Sequence, residues 1–251
     1  PLLWGKTDGC VPLRVGTHVD PPDVGHHLIV APTGMGKSFL LNMMLAQFRR
    51  YPRARVRYID NGYSGYALCR AVGGTHYDLC SGRTDAICFQ PLRWIDSEAD
   101  RAKAERWLSV VFDVQGIRME PELQEAIRTS LLLLARMPVS ERTLTTLFYQ
   151  LQNDRLRSAL GYYCADFGNF GQLLDASHDD LAGGDYQVFE LKHLLRFADA
   201  RISVPVFAYL FAGIERGFDG SPTYIAVDEG KMAMGDGLFA RQLAEWSITV
   251  R

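Results

Sequence analysis

The sequence predicts an α/β protein in which a parallel sheet is interrupted by an all-helical insertion. Stretches typical of strands alternate with helical stretches at both ends of the chain, and this rhythm favours a parallel sheet with helical crossovers. Between residue 96 and about residue 180 the pattern is helical throughout. A segment of roughly 85 residues is too long to be a loop.

Three strands and a helix are predicted near the start of the chain. The short apolar stretch HHLIVA at residues 26–31 predicts a buried strand, in which the two histidines pack rather than bind a ligand. ARVRYID at residues 54–60 and THYDL at residues 75–79 predict the next two strands. The helix predicted at residues 39–48 carries apolar side chains on most faces. We therefore expect it to be well covered.

Four helices are predicted in the insertion. The first opens at Asp96 with acidic residues, which suit the positive end of the helix dipole. Its apolar residues fall on one face, namely Ala104, Trp107, Leu108, Val111 and Phe112. Pro121 suits the start of the second helix, and Ser140 is interpreted as the cap of the third. A short fourth helix begins at residue 154, and residues 131–134 are expected to be core.

The α/β pattern then returns and completes three predicted parts. YQVFEL at residues 186–191 and TYIAVDE at residues 223–229 predict strands, and helices are predicted at residues 204–217 and 237–246. This organisation assigns residues 1–94 to the first part of the core, 95–182 to the helical insertion and 183–251 to the remainder of the core. The chain begins without Met and ends on SITVR, which resembles a strand just starting. We therefore expect a fragment of a longer protein, truncated before its last strands.

Composition and charge exclude several classes of protein. Of the 251 residues, 47% are hydrophobic and 22% are charged, as in ordinary globular proteins. No apolar run approaches the roughly 20 residues that cross a bilayer, and no signal peptide is recognisable. The net charge of −2 gives no support to a nucleic-acid surface. The five cysteines form no CxxC pair, so we interpret them as reduced thiols rather than as zinc ligands.

The motif APTGMGKS at residues 31–38 fits the phosphate-binding P-loop pattern, with alanine in place of the first glycine. Gly34 and Gly36 would let backbone N–H groups point at an anion, next to a helix N-terminus that favours negative charge. Lys37 is predicted to reach the β- and γ-phosphates of ATP and Ser38 to bind Mg²⁺. The predicted nucleotide-binding residues are Pro32, Thr33, Gly34, Met35, Gly36, Lys37, Ser38 and Phe39.

An acidic pair after the strand at residue 223 supplies the other half of the predicted site. Asp228 is assigned to the Mg²⁺ shell through water, and Glu229 is the candidate general base for an attacking water. Together with Lys37, Glu229 is a candidate catalytic residue. Small-molecule kinases usually lack the second acid, so the pair favours ATP hydrolysis over transfer to a small acceptor. The alternative for such a pair is an ordinary strand end.

Taken together, these motifs resemble the C-terminal ATPase domain of the TrbE/CagE family, which serves type IV secretion and conjugative transfer. The matching stretches follow the family order. They are VGHHLIVAPTGMGKSFLLN, YIDNGYSG, RTLTTLFYQLQNDRLRSAL, DFGNFGQLLDASHDDLAGGDYQVFEL, PVFAYLFAGIERGFDGSP, TYIAVDEG and LAEW. The glycine-rich GNFGQLLD and the FE strand that follows are more specific than the P-loop alone. One departure is DEGK, with Gly230 and Lys231, where DEAW is commoner in the family.

The resemblance implies a RecA-like core related to DNA-pumping motors, and a cofactor pair of ATP and Mg²⁺. It also implies a hexamer in the bacterial cytoplasm. That hexamer would lie at the inner membrane and bind inner-membrane secretion-system components and other secretion ATPases. Its work would be pilus assembly or substrate transfer. Two other functions stay open: a DNA translocase of the same superfamily, and a scaffold that binds nucleotide without turnover.

Several other polar residues allow two interpretations. Asp60 could contact the Mg²⁺ shell or belong to a solvated strand-end turn. An arginine acting on a neighbouring subunit's nucleotide is sought among Arg201, Arg216, Arg241 and Arg251, although surface ion pairs are the commoner role. SHDD at residues 177–180 is interpreted as a helix-start cap rather than a metal cluster.

Overall fold

The computed structural model describes residues 3–6, 9–10, 12–16, 18–19, 23–81, 87–168, 170–181 and 183–228. Glu229, Arg241, Arg251 and the helix predicted at residues 237–246 lie outside these residues. The chain divides into two compact units. The sheet unit contains residues 1–77, 184–192 and 218–251, and the helical unit contains residues 78–183 and 193–217. The predicted helical insertion at residues 95–182 lies within the helical unit, which also takes in residues 78–94 and 193–217.

The strands and helices follow the chain in this order. The strands are β1 (Leu3–Lys6), β2 (Pro12–Val15), β3 (His18–Val19), β4 (Asp23–Val24), β5 (Arg55–Asp60), β6 (Thr75–Asp78), β7 (Tyr186–Glu190) and β8 (Thr223–Val227). The helices are α1 (Lys37–Phe48), α2 (Tyr66–Ala71), α3 (Glu98–Asp113), α4 (Pro121–Leu134), α5 (Leu144–Gln150), α6 (Asp154–Gly161), α7 (Gly171–Leu174), α8 (Lys192–Arg196) and α9 (Ala200–Arg216). Among the described residues, no helix is long and apolar enough to cross a membrane.

The main sheet has the strand order β6-β7-β5-β8, and β5 runs parallel to both β7 and β8. Every residue of β7 is buried, as expected for a strand covered on both faces. Parallel strands end at the same edge, so Glu190, Asp60 and Asp228 follow one another in this order along the carboxyl edge of this sheet. The strands predicted at residues 54–60, 75–79 and 186–191 are confirmed, and the strand predicted at residues 223–229 is confirmed as far as the described residues reach. The predicted parallel arrangement is confirmed for β5 with β7 and for β5 with β8.

The strand predicted at residues 26–31 is wrong, because no described strand pairs with this segment. Ile29 packs against the core of the sheet unit, but Leu28 is 90% exposed and Val30 is 82% exposed. The buried and exposed side chains therefore alternate as in a strand, but no described neighbouring strand supplies the hydrogen bonds of a sheet. Period-two alternation indicates an extended segment, and a strand also needs a partner.

Helix α1 confirms the predicted helix but not its complete burial. Its inner face, formed by Met44, Leu45 and Phe48, packs into the core of the sheet unit. On the other face, Phe39 is 72% exposed, and Met43 is exposed as well. The described part of the sheet unit therefore covers one face of α1 and leaves apolar side chains exposed on the other face.

The helical unit follows the predicted pattern closely. The buried residues of α3 are the five that were predicted to share one face: Ala104, Trp107, Leu108, Val111 and Phe112. Pro121 is the first residue of α4. The predicted cap Ser140 is wrong, because it lies in a short 3-10 turn and Thr143 caps α5 by accepting a hydrogen bond from the Thr146 N–H. In the stretch 131–134, Leu131 and Leu134 are core, whereas the two leucines between them are exposed.

The segment SHDD also differs from its prediction. No helix begins at residues 177–180, and the next described element is the strand β7. The side chains of this segment bond elsewhere in the helical unit, with Asp180 accepting from the backbone N–H of Cys88. The five cysteines form no disulfide, as predicted.

Asp199 at the start of α9 gives a pH-dependent prediction. Its carboxylate caps the helix at the Arg201 N–H and forms a two-point pair with the Arg201 guanidinium. These bonds lower the pKa of Asp199 to about 2. Since the unfolded pKa is about 3.9, this stabilisation is complete above about pH 4 and is lost as the pH falls towards 2.

We therefore expect Asp199→Ala to destabilise the protein by about 1 kcal/mol near neutral pH, the usual cost of a lost N-cap. The gap between the thermal unfolding midpoints of wild type and variant should narrow between pH 6 and pH 3. An equal gap at both pH values would contradict the assigned ion pair. Asp154→Ala, which removes an exposed carboxylate near the start of α6, is the control.

Candidate nucleotide-binding site

The P-loop connects residue 31 to α1 through two glycines in the left-handed region. Gly34 has φ 85° and Gly36 has φ 81°, values that L-amino acids with side chains rarely adopt. A Cβ at either position would meet no atom within 4 Å. The glycines are therefore required by the backbone conformation and not by crowding. Residues 32–36 are exposed, so the loop and the N-terminus of α1 face solvent.

Lys37 is held against its own loop. The Nζ atom donates to the carbonyl oxygens of Ala31, at 2.9 Å, and Pro32, at 3.0 Å. These bonds keep the ammonium group beside the two glycines and the first turn of α1. An anion entering the loop would offer the same ammonium a charged acceptor, which forms a stronger hydrogen bond than a neutral carbonyl.

A cluster of oxygen atoms lies where β5 and β8 end. The hydroxyl of Ser64 lies 2.5 Å from Asp60 Oδ1, 2.8 Å from Asp228 Oδ2 and 2.9 Å from the hydroxyl of Tyr58. Tyr58 also approaches Asp228 Oδ2, at 3.3 Å. Ser64 has a single proton to donate, so it cannot satisfy both carboxylates at once. The cluster therefore shares its protons among Tyr58, Ser64 and two acids.

Burial raises the pKa of Asp60, and the negative charges of Glu190 and Asp228 add to this effect. Hydrogen bonds from Ser64 and from the Gly65 N–H act in the opposite direction. Burial likewise raises the pKa of Tyr58, which therefore stays a phenol. A cation placed near these acids would stabilise their ionised forms.

Asn42 links this cluster to the P-loop helix. Its side-chain amide donates to the carbonyl of Ser38 in the first turn of α1, at 2.7 Å, and to that of Ser64, at 3.2 Å. Since Ser64 also bonds Asp228, a chain of hydrogen bonds runs from the predicted Mg²⁺ ligand on α1 to the predicted acid after β8. The structure thus brings Ser38 and Asp228 into one region of the sheet unit.

Glu190, which ends β7, organises the loop that carries Ser64. It is fully buried, and its carboxylate accepts from the backbone N–H groups of Gly62 at 2.9 Å, Tyr63 at 2.5 Å and Lys192 at 2.9 Å. Gly62 and Tyr63 both have positive φ, so the loop needs this support. The two bonds from residues 62 and 63 hold the loop after β5 against the neighbouring strand end.

Three site residues were not found from the sequence. Asn42 is the one strongly polar residue within the apolar stretch FLLNMML, and this was a usable signal. Ser64 and Glu190 carried weaker signals, because each lies far from the P-loop in the sequence and becomes significant only through strand pairing.

The histidine and the two described arginines that were considered as possible site residues contact other residues of the chain. His27 packs on Tyr224 and lies 2.8 Å from the carbonyl of Gly16. Arg201 pairs with Asp199, and Arg216 lies over the ring of Trp94, 5.6 Å from its centre. The packing role predicted for His27 and the ion-pair role predicted for Arg201 agree with these contacts.

Comparison with known proteins finds relatives along the whole chain. A probable TrbE conjugal transfer protein of Sinorhizobium fredii is 38% identical over 100% of the chain, which covers 38% of that protein. The conjugal transfer protein TrbE of Rhizobium radiobacter is 36% identical over 100% of the chain and 30% of the relative. The type IV secretion system protein virB4 of Bartonella henselae is 24% identical over 99% of the chain and 32% of the relative. The chain therefore spans about a third of the length of these relatives. No protein-family model matches it.

The fold has a solved counterpart as well. VirB4 of Thermoanaerobacter pseudethanolicus superposes with a TM-score of 0.62 over 86% of this chain and 63% of that one, at 19% sequence identity. This likeness confirms the predicted fold class, α/β with a RecA-like P-loop core. Over its whole length, the chain is similar in sequence to part of the TrbE conjugal transfer proteins and, more distantly, to virB4, so the resemblance that its motifs suggested is confirmed.

Proposed function

We propose that the chain is the ATP-binding and ATP-hydrolysing motor part of a type IV secretion or conjugation machine. The observation that carries this proposal is the hydrogen-bond chain from α1 through Asn42 and Ser64 to Asp228. It joins a P-loop to an acid at the end of a parallel strand, the arrangement that P-loop enzymes use for a nucleotide and its metal. The names of the relatives, conjugal transfer and type IV secretion proteins, supply the biological setting.

The residues present fit ATP with Mg²⁺. Two glycines with positive φ and a helix N-terminus suit a polyphosphate, and Lys37 supplies the positive charge. Ser38 and Asp228 offer the hard oxygen ligands that Mg²⁺ prefers, the second of them through water. When bound, Mg²⁺ would neutralise charge on the terminal phosphates.

Within this proposal each residue of the chain has a separate task. Lys37 exchanges the carbonyls of Ala31 and Pro32 for phosphate oxygens. Glu229, which lies outside the described residues, accepts a proton from the attacking water. Asp60 positions Ser64 and the following Gly65 N–H, and Ser64 in turn orients Asp228. In this assignment Asp60 acts on the loop rather than on the nucleotide.

The proposed setting follows from the relatives and from the resemblance of the motifs. The motor would act as a homo-oligomer, a hexamer in the complete machine. It would bind secretion components at the cytoplasmic face of the bacterial inner membrane and energise pilus assembly or substrate transfer. Charge complementarity gives the DNA-translocase alternative no support, because the net charge is −2.

The variant Glu229→Gln separates the motor from a scaffold without turnover. We expect it to bind ATP as tightly as wild type and to release phosphate at least about 100-fold more slowly, since a general base contributes about 10²–10⁴ in rate. ATP titration and phosphate release are measured on the purified chain, with light scattering to record its assembly state. Unchanged turnover in Glu229→Gln would remove Glu229 from the base role. Wild-type protein that binds ATP but shows no turnover in any assembly state would favour the scaffold.

A further inference from the structure

A cysteine, a histidine and an aspartate meet in the helical unit, and the proposed motor chemistry uses none of them. Cys88 Sγ lies 3.2 Å from His178 Nε2 and 3.3 Å from Asp180 Oδ2. The His178 Nε2 and Asp180 Oδ1 atoms are 3.7 Å apart. In the part of the chain that the structure describes, this is the one group of three such side chains close enough to share a metal ion.

The geometry is that of a ligand set and not of a nucleophilic triad. In a triad, the carboxylate holds the imidazole nitrogen opposite to the one that meets the nucleophile. Here the thiol and the carboxylate both approach Nε2 of His178. A tetrahedral zinc ion, with Zn–S about 2.3 Å and Zn–N and Zn–O about 2.0 Å, separates its ligand atoms by about 3.3–3.6 Å. The observed closest approaches are 3.2–3.7 Å, with Oδ2 of Asp180 nearest the thiol and Oδ1 nearest the imidazole. One ligand atom from each of the three residues lies within 4.8 Å of the other two, so a small rotation of the carboxylate suffices to bind an ion.

The backbone holds two of the ligands in place. The Cys88 N–H donates to Asp180 Oδ2 at 2.9 Å, and the Asp180 N–H donates to the Cys88 carbonyl at 3.0 Å. One residue further on, the Phe89 N–H donates to the carbonyl of Leu173 at 2.7 Å. Since two segments 92 positions apart in sequence are fixed to each other in this way, the ligand atoms need little movement to bind an ion.

The charges around the thiol favour a divalent cation. The carboxylate of Asp180 lies 3.3 Å from the Cys88 thiol, and the charge of Asp179 also acts on this thiol. The same carboxylates would attract a dication, which replaces the thiol proton on binding. Asp179 accepts from the hydroxyl of Tyr209 and from the Leu181 N–H, so it contributes charge and not a ligand atom. A thiolate and one carboxylate together balance a charge of +2.

We propose that Cys88, His178 and Asp180 bind one zinc ion, with a water molecule as the fourth ligand. A thiolate sulfur and an imidazole nitrogen favour zinc over Mg²⁺ or Ca²⁺. The His178 side chain is 65% exposed and that of Asp180 is 39% exposed, which leaves solvent access on one side. The ion would clamp the segment at residue 88 to the segment at residues 178–180 and stabilise the helical unit.

Zinc titration of the purified chain, stripped of metal with a chelator, tests this proposal. We expect one equivalent of Zn²⁺ to bind and to raise the thermal unfolding midpoint. With Co²⁺ in place of Zn²⁺, a thiolate-to-cobalt charge-transfer band should appear. Cys88→Ser should weaken Zn²⁺ binding at least about 100-fold, more than the loss of a second-sphere partner, and should abolish the band. Cys10→Ser, which removes an exposed cysteine, is the control and should leave both unchanged.

A second variant distinguishes loss of a zinc ligand from misfolding of Cys88→Ser. His178→Ala removes an exposed side chain, so its unfolding midpoint without metal should equal that of wild type, whereas the zinc-induced rise should disappear. Equal zinc affinity in wild type, Cys88→Ser and His178→Ala would overturn the proposal, as would cobalt binding without the charge-transfer band. Neither result depends on ATP, so this proposal can fail while the motor function stands.

Discussion

Replacing Lys37 by alanine is expected to reduce ATP affinity at least about 100-fold, a loss of about 2.8 kcal/mol. Lys37 is the positively charged residue of the P-loop, and its Nζ atom already lies beside the turn, bonded to Ala31 and Pro32 at 2.9 and 3.0 Å. Hydrogen bonds between charged partners contribute about 1.5–3 kcal/mol each. Losing the ammonium group therefore removes the strongest side-chain contact that this loop can offer to a phosphate.

The folded protein should tolerate this change. Among the described residues, the Lys37 ammonium donates to two carbonyls of a largely exposed loop, so water can replace the missing donor. The measurement is calorimetric or fluorescent titration with ATP and Mg²⁺, together with thermal unfolding. Lys103→Ala is the matched control, because Lys103 is an exposed lysine of α3 that pairs weakly with Asp100 at 3.6 Å. Lys37→Ala that binds ATP as tightly as wild type would contradict the assignment of the phosphate site.

Lys37→Arg refines the same test. Arginine keeps the charge, but its planar fork cannot occupy the position of a compact ammonium group. We expect an intermediate loss of affinity, between those of wild type and Lys37→Ala. Such an order would show that both the charge and the shape of Lys37 matter.

Local patterns in the sequence predicted most of the helices and the parallel sheet. The apolar face of α3 could be predicted because the period of 3.6 residues places Ala104, Leu108 and Val111 on one side whatever surrounds them. The prediction of a strand at residues 26–31 was wrong because the hydrogen bonds of a strand depend on a neighbouring strand. No local sequence pattern shows whether that neighbouring strand is present. The predicted N-cap of α5 was wrong because Ser140 and Thr143, three residues apart, are both residue types that cap helices.

In the candidate site, too, residues that belong to a local motif could be predicted, whereas residues that depend on long-range contacts could not. The P-loop glycines and Asp228 could be proposed from the sequence because their spacing relative to a strand or a helix is part of the motif. Ser64, Glu190 and the group around Cys88 depend on contacts between positions about 90 to 170 residues apart. Parallel strands and helical packing create such contacts, and a single sequence does not encode them in any local spacing. The proposed zinc ligands were not recognised for this reason, because SHDD was considered without Cys88, which contacts it only in the folded chain.

The largest loss of stability is expected from Arg142→Met in the helical unit. The Arg142 residue is 5% exposed, and its guanidinium donates to four oxygen atoms. Three of them are backbone carbonyls, of Met137 at 3.1 Å, Arg93 at 3.1 Å and Ala135 at 3.0 Å. The carbonyls of Ala135 and Met137 lie just beyond the last residue of α4, where the negative end of the helix dipole favours a cation.

Methionine fills a similar volume but leaves these carbonyls without a donor. Each buried acceptor left unsatisfied costs about 1–3 kcal/mol, so we expect Arg142→Met to destabilise the helical unit by about 3–5 kcal/mol. The two units need not unfold together, and hydrogen exchange of the α4 amides should therefore accompany chemical denaturation. Arg128→Met is the control, because Arg128 is 58% exposed and pairs with Glu105 at the surface, and its unfolding midpoint should match wild type. A free energy of unfolding of Arg142→Met within about 1 kcal/mol of the wild-type value would show that the buried guanidinium does not hold the end of α4 to Arg93. Replacing four charge-assisted hydrogen bonds by an apolar side chain cannot be neutral where water has no access.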